Sequence, residues 1–162
     1  MGSEGANFMF NVGERAPEFE LEDHQGRRVS LAELLKDGPL VLFFYPADFT
    51  PACTKEACMF RDVHQELAGL GIRVVGINAA QPSRHARFAS AHALPFPLLS
   101  DPGRKVIRAY GAAGMLGFVR RITYLIGKDG RILDAVHADL RVSAHKDFIA
   151  RVQAAFRAAE KG

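Results

Sequence analysis

Leu40-Val41-Leu42-Phe43-Phe44-Tyr45 is a run of six apolar residues, and Pro46-Ala47-Asp48-Phe49-Thr50-Pro51-Ala52-Cys53-Thr54-Lys55-Glu56-Ala57-Cys58 follows it directly. A run that short and that apolar suits a strand buried on both faces, as in a parallel sheet. After Pro51 the periodicity changes. Phe60, Val63, Leu67 and Leu70 recur on one stripe of an amphipathic helix, and Gly69 and Gly71 mark its end. The segment therefore leaves a buried strand and enters a helix, and in open α/β sheets the crevice at the carboxyl end of a strand is where ligands bind.

The same alternation continues outward. Downstream, residues 72–77 read as a strand, 82–91 as a helix and 97–99 as a short strand. Asp101-Pro102 reads as an N-cap with proline at the first helical position, opening a helix to about Tyr110. Gly111, Gly114 and Gly117 suggest a flexible loop. Residues 122–126 and 131–136 flank Gly127-Lys128-Asp129-Gly130 as a hairpin. A last helix carries Phe148, Ile149, Val152, Ala155, Phe156 and Ala159 on one face. Upstream, residues 19–21 and 28–30 read as short strands about a turn at 23–26. Ser30 and Glu33 form a capping box for a helix over 31–35, and Gly38-Pro39 ends it. Strands alternating with helices and closed by a hairpin predict an α/β, thioredoxin-like fold with a central mixed sheet flanked by helices.

With 162 residues, 48% of them hydrophobic, the chain fits one domain spanning 1–162, with 1–12 as a loose tail. A net charge of +3 with no clustered run of Lys and Arg argues against a nucleic-acid partner. No apolar run reaches ~18 residues, so no membrane span is expected. The N-terminus lacks a basic stretch followed by an apolar one, so it does not read as a secretory signal. Two cysteines are too few for a secreted disulfide framework, which points to the cytoplasm. Nor do they form a zinc site, since zinc takes four ligands and no histidine falls at ligand spacing from them. His64 reads as a helix-surface residue. No cofactor is expected.

The chemistry falls on Cys53. Thr50 suits the N-cap and Pro51 the first helical position, which places Cys53 third in the helix. Backbone N–H groups there lack intrahelical partners and carry partial positive charge. Cysteines in such settings titrate at roughly 3.5–7.5 rather than about 8.5. Cys53 precedes Phe60 by seven residues, so both share the inward stripe and the thiol is expected at the bottom of a pocket. Position alone fits a buried, inert cysteine equally well. The surrounding residues separate the two readings.

Pro46, Thr50 and Cys53 form P-x-x-x-T-x-x-C, which resembles the active-site signature of the peroxiredoxins. FYPADFTPACTKEAC resembles in particular their bacterioferritin-comigratory, or Q-type, members. APEFELEDHQG near the start, PLLSD at 97–101 and RITYLIGKDGRI at 121–132 extend the resemblance over nearly the whole chain. It implies that Cys53 is the peroxidatic cysteine, whose thiolate attacks a hydroperoxide and becomes a sulfenic acid. Thr50 would contact peroxide and thiolate, and Pro46 would keep bulk water away. Arg121 would stabilise the thiolate and the charge developing on the oxygens. Side chains alternate along a strand, so only one of Arg120 and Arg121 can face the site, and the aligned segment selects Arg121. Glu56 also fits the pattern, in a supporting place.

Cys58 is five residues past Cys53. On an intact helix their Cα atoms stand roughly 8.6 Å apart, whereas a disulfide needs about 7 Å or less. The resemblance nevertheless implies that Cys58 is the resolving cysteine, so the first helical turns must unwind during oxidation. Resolution by an external thiol stays open on these residues. The family implies a thioredoxin- or glutaredoxin-type reductant and a monomer or weak homodimer. A thioredoxin-like thiol–disulfide oxidoreductase would carry C-x-x-C, not the C-x-x-x-x-C found here. A redox sensor or chaperone on the same fold would form the sulfenic acid but turn over slowly.

Overall fold

The computed structural model describes residues 12–161, so all of the expected N-terminal tail except Val12 lies outside the described residues. A seven-stranded mixed sheet has the order β2-β1-β5-β4-β3-β6-β7. Its strands are β1 (Glu20–Asp23), β2 (Arg28–Ser30), β3 (Leu40–Phe44), β4 (Arg73–Asn78), β5 (Leu98–Ser100), β6 (Ile122–Ile126) and β7 (Ile132–His137). The helices are α1 (Leu31–Leu34), α2 (Pro51–Gly69), α3 (Pro82–Ala91), α4 (Lys105–Ala109) and α5 (Val142–Lys161). Strands β3, β4 and β5 run parallel, and β6 pairs antiparallel with β3 in the register Leu40↔Ile126 to Phe44↔Ile122.

Every residue of β3 is buried. The pleat sends Leu40, Leu42 and Phe44 into one core, shared with α1 and α4. It sends Val41 and Phe43 into the other, shared with α2, α3 and α5. Both faces are covered, so the strand has no polar alternation. Phe43 stacks on Phe60 of α2 at 4.4 Å between ring centroids, and truncating such a ring to alanine costs about 3–5 kcal/mol. The stack needs a glycine on the neighbouring strand. A Cβ at Gly76 would stand 2.7 Å from the Phe43 ring.

Helix α2 starts as expected, with Thr50 extended at the N-cap and Pro51 at the first position. It ends in a Schellman motif: the Gly71 N–H bonds the Ala68 carbonyl and the Ile72 N–H bonds the Leu67 carbonyl. Gly71 has φ +79°, which a side chain would strain. The capping box of Ser30 and Glu33 is present at α1.

Three expectations are corrected. Asp101-Pro102 does not start a helix: residues 101–104 make a turn, with the Arg104 N–H on the Asp101 carbonyl, and α4 begins at Lys105. Asp101 still caps it, because its carboxylate accepts the Ile107 N–H at 2.7 Å. The segment 111–119 is pinned rather than left as an open loop. The Gly114 N–H bonds Phe118 O, and Arg104 donates to Gly117 O at 2.6 Å. On α5, Phe148, Ile149 and Val152 are buried, but Ala155 and Ala159 are exposed. Among the described residues, no helix is long and apolar enough to cross a membrane.

Candidate active site

The turn between β3 and α2 is held from below by buried polar groups. The Tyr45 hydroxyl donates to Asp48 Oδ1 at 2.5 Å, and the other Asp48 oxygen lies 2.7 Å from His85 Nδ1 on α3. His85 Nε2 faces the Leu99 carbonyl at 3.1 Å. Both ring nitrogens of His85 thus face oxygen atoms and hold the ring in place. Burial and the adjacent Asp48 push the Tyr45 hydroxyl well above its ordinary range. Arg84 donates to the Asp48 carbonyl, and its guanidinium lies over the Phe49 ring. Phe49 adopts φ +68°, a left-handed conformation unusual for a bulky residue, one step before the helix cap.

This scaffold delivers Cys53 to the first turn of α2, with 1% of its surface exposed. Sixty-eight residues later in the chain, Arg121 enters just before β6. Its Nη2 donates to Cys53 Sγ at 3.4 Å and its Nη1 to Glu56 Oε1 at 2.7 Å. The guanidinium is aimed by Asp139, whose carbonyl accepts from Nε at 3.1 Å and whose carboxylate accepts the Arg121 backbone N–H at 2.8 Å. Burial works against the charge on Arg121, but Glu56 and Cys53 outweigh it and raise its pKa. Arg120, also outside β6, has its Nη1 3.9 Å from Asp139 Oδ2.

Glu56 sits one turn beyond Cys53, fully buried. Burial pushes its carboxyl up to about 7, against the pull of Arg121. Among the described residues its second oxygen, Oε2, meets no hydrogen-bond partner, and it lies 3.5 Å from His145 Nδ1. His145 Nε2 faces the Ala138 carbonyl at 3.0 Å, and Nδ1 meets Thr123 Oγ1 at 2.8 Å. Burial pulls this imidazole down to about 4, with Ala138 acting against it. The neutral tautomer with a proton on Nε2 then accepts the Thr123 hydroxyl at Nδ1.

The structure brings Cys53, Arg121 and Glu56 together. Pro46 is half-buried at the turn. Thr50 is exposed, and its hydroxyl donates to the Ala47 carbonyl at 3.1 Å, so in this arrangement it ties the loop. Cys58 lies on the same unbroken helix as Cys53, both as free thiols. It is half-buried and borders a cavity of about 640 Å³ between α2 and α5. Sequence reasoning missed the Asp48–His85 pair, His145, and the contact of His92 Nδ1 with Cys58 Sγ at 4.0 Å. Glu56, three residues past Cys53, shares a helix face with it. His64 is half-buried, its ring 6.2 Å from that of Phe96.

The model of the AhpC/TSA family matches residues 12–135. The chain belongs to that family. This AhpC/TSA protein is 44% identical over 122 residues to the chloroplastic peroxiredoxin Q of Gentiana triflora. The match takes in 74% of this chain and 56% of that protein. Its fold superposes on the crystal structure of the peroxidoxin BcpB from Mycobacterium tuberculosis with a TM-score of 0.84 and 40% identity, over 92% of this chain and 97% of that one. A peroxiredoxin Q structure from Xanthomonas campestris gives a TM-score of 0.76 at 28% identity, over 86% and 90% of the two chains. The protein is a peroxiredoxin, a thiol-dependent peroxidase of the thioredoxin-like fold.

Proposed function

We propose that Cys53 is the peroxidatic nucleophile and that Cys58 resolves it within the chain. The observation that carries this reading is the 3.4 Å contact between Arg121 Nη2 and Cys53 Sγ at the N-terminus of α2. A guanidinium and a helix start both favour the thiolate. The thiolate attacks the terminal oxygen of a hydroperoxide, the O–O bond breaks, and the leaving alkoxide or hydroxide takes up a proton. Cys53 becomes a sulfenic acid. Arg121 offsets the charge that moves from sulfur to oxygen, and it is already aimed before the substrate arrives. Pro46 shields the thiolate. Thr50, freed from Ala47, contacts the bound peroxide.

Resolution follows when the first turns of α2 unwind. The Cys58 thiolate attacks Cys53 Sγ, the S–O bond breaks, and a Cys53–Cys58 disulfide forms as the departing hydroxide takes up the proton released by the Cys58 thiol and leaves as water. A thioredoxin- or glutaredoxin-type dithiol then reduces it. The whole chain works as one domain in the cytoplasm, as a monomer or weak homodimer, on hydrogen peroxide and alkyl hydroperoxides. Non-reducing peptide mapping after one equivalent of hydrogen peroxide tests the scheme. The expected product is an intramolecular Cys53–Cys58 disulfide. A purely intermolecular disulfide, or none, contradicts the role of Cys58 while leaving that of Cys53 standing.

A further inference from the structure

Cys58 is not a bare helix thiol. Its Sγ lies 4.0 Å from Nδ1 of His92, the residue that caps the C-terminus of α3. The His92 ring is fixed by packing edge-on to Phe88, at 5.1 Å between centroids, and beside Phe49 at 6.4 Å. From the other side Arg61 Nη1 donates to the His92 carbonyl at 3.0 Å. Arg61 is three residues beyond Cys58, on the side away from Cys53. The anchor therefore lies beyond both cysteines on α2.

We infer that His92 is the base that takes the proton from Cys58 in the resolving step, an inference that rests on the reading of Cys58 as the resolving cysteine. The S–H proton passes to Nδ1, and the thiolate attacks Cys53 Sγ as the S–O bond breaks. The departing hydroxide takes the proton back from the imidazolium and leaves as water. Sulfenic acid plus thiol thus give disulfide plus water, with no further oxidant. A half-buried imidazole nitrogen within reach of the thiol can take up and return one proton in this exchange. The groups around the pair are Arg61, which lies within Coulombic reach of Cys58, and Asp62, bonded to Arg61. Lys55 and Lys146 line the same cavity as Cys58. Arg84 is turned onto Phe49, and His85, two turns back on α3, is committed to Asp48.

The test uses the full chain, one equivalent of hydrogen peroxide, acid quenching at intervals, and mass mapping of free thiol, sulfenic acid and disulfide. His92→Gln removes the base. His92→Phe removes it but keeps a ring against Phe88, which guards against a packing effect. Both variants should oxidise Cys53 as fast as wild type and form the disulfide about tenfold more slowly or worse at pH 7. Their disulfide rate should recover in alkaline solution, where hydroxide in the medium replaces the missing base. Disulfide formation within threefold of wild type, with an unchanged pH profile, overturns the role of His92 alone. Absence of a Cys53–Cys58 disulfide in wild type overturns the reading of Cys58 and the role of His92 with it.

Discussion

Arg121 touches Cys53 and Glu56 with the two ends of one guanidinium, while Asp139 holds its Nε and its backbone. A lysine offers one point charge and cannot make that fork. Arg121→Lys is therefore not conservative here. Losing a charge-assisted contact costs roughly 1.5–3 kcal/mol, about ten- to a hundredfold in the peroxide step. Stopped-flow oxidation should show that loss for Arg121→Lys and Arg121→Ala, with Arg120→Ala close to wild type. A larger loss at Arg120 would contradict the role given to Arg121.

Glu56 and His145 make opposed predictions for stability against pH. The Glu56 carboxyl is raised from 4.5 to about 7, so between those values the folded state binds more protons than the unfolded one and stability falls as pH rises. The His145 imidazole is lowered from 6.5 to about 4, so across that window the folded state binds fewer protons and stability rises with pH. Half-buried His24 and His64, also held low by burial, act in the same sense as His145. In wild type the two slopes largely cancel between pH 4.5 and 6.5. Glu56→Gln should gain stability over that range and His145→Gln should lose it, each by up to about 3 kcal/mol. Urea midpoints at pH 4.5, 5.5 and 6.5 decide. Parallel profiles for the two variants would contradict the assignment.

The Asp48–His85 pair supports the turn that carries Cys53. Removing one partner of a buried pair leaves an uncompensated charge and costs about 3–5 kcal/mol. His85→Leu should lose that much in urea unfolding. Asp48→Asn combined with His85→Leu should recover part of it, with a coupling of at least about 1 kcal/mol. Additive losses would show that the two side chains do not act as a pair.

Much of this was readable from the chain. The apolar run at 40–45 has no polar alternation because β3 is covered on both faces. The Thr50-Pro51 start of α2 was readable because a proline at the first helical position is a local signal, although the Thr50 hydroxyl bonds the Ala47 carbonyl and makes no side-chain cap. The failures are where local signals do not discriminate. Asp101 bonds the helix start from across a turn, so an Asp-Pro pair looks the same whether it opens the helix or precedes it. Ala155 and Ala159 fit the helical period of α5 but lie beyond its buried section, and a small residue gives no sign of that. Asp48 and His85 stand 37 residues apart, as His92 and Cys58 stand 34 apart, and only the sheet brings them together. Periodicity reports which face is buried. It does not report which buried polar groups meet.

Cys58→Ser keeps the peroxide site intact but removes the internal partner. It should consume one equivalent of peroxide and then stall as sulfenic acid, open to over-oxidation. Mass spectrometry after one and then ten equivalents should show the gain of one oxygen followed by two or three. Turnover at the wild-type rate with a thioredoxin-type reductant would assign resolution to an external thiol.

The central claim is that Cys53, held by Arg121, is the nucleophile that reduces peroxide. Its most direct test is steady-state consumption of hydrogen peroxide, with a thioredoxin system as reductant, by wild type and by Cys53→Ser. An alcohol in place of the thiol is a far weaker nucleophile at neutral pH, and circular dichroism on the same samples shows whether the fold is kept. The account predicts turnover by wild type and no enzyme-dependent consumption by a folded Cys53→Ser. Retention of more than a few per cent of wild-type turnover by that variant would contradict it.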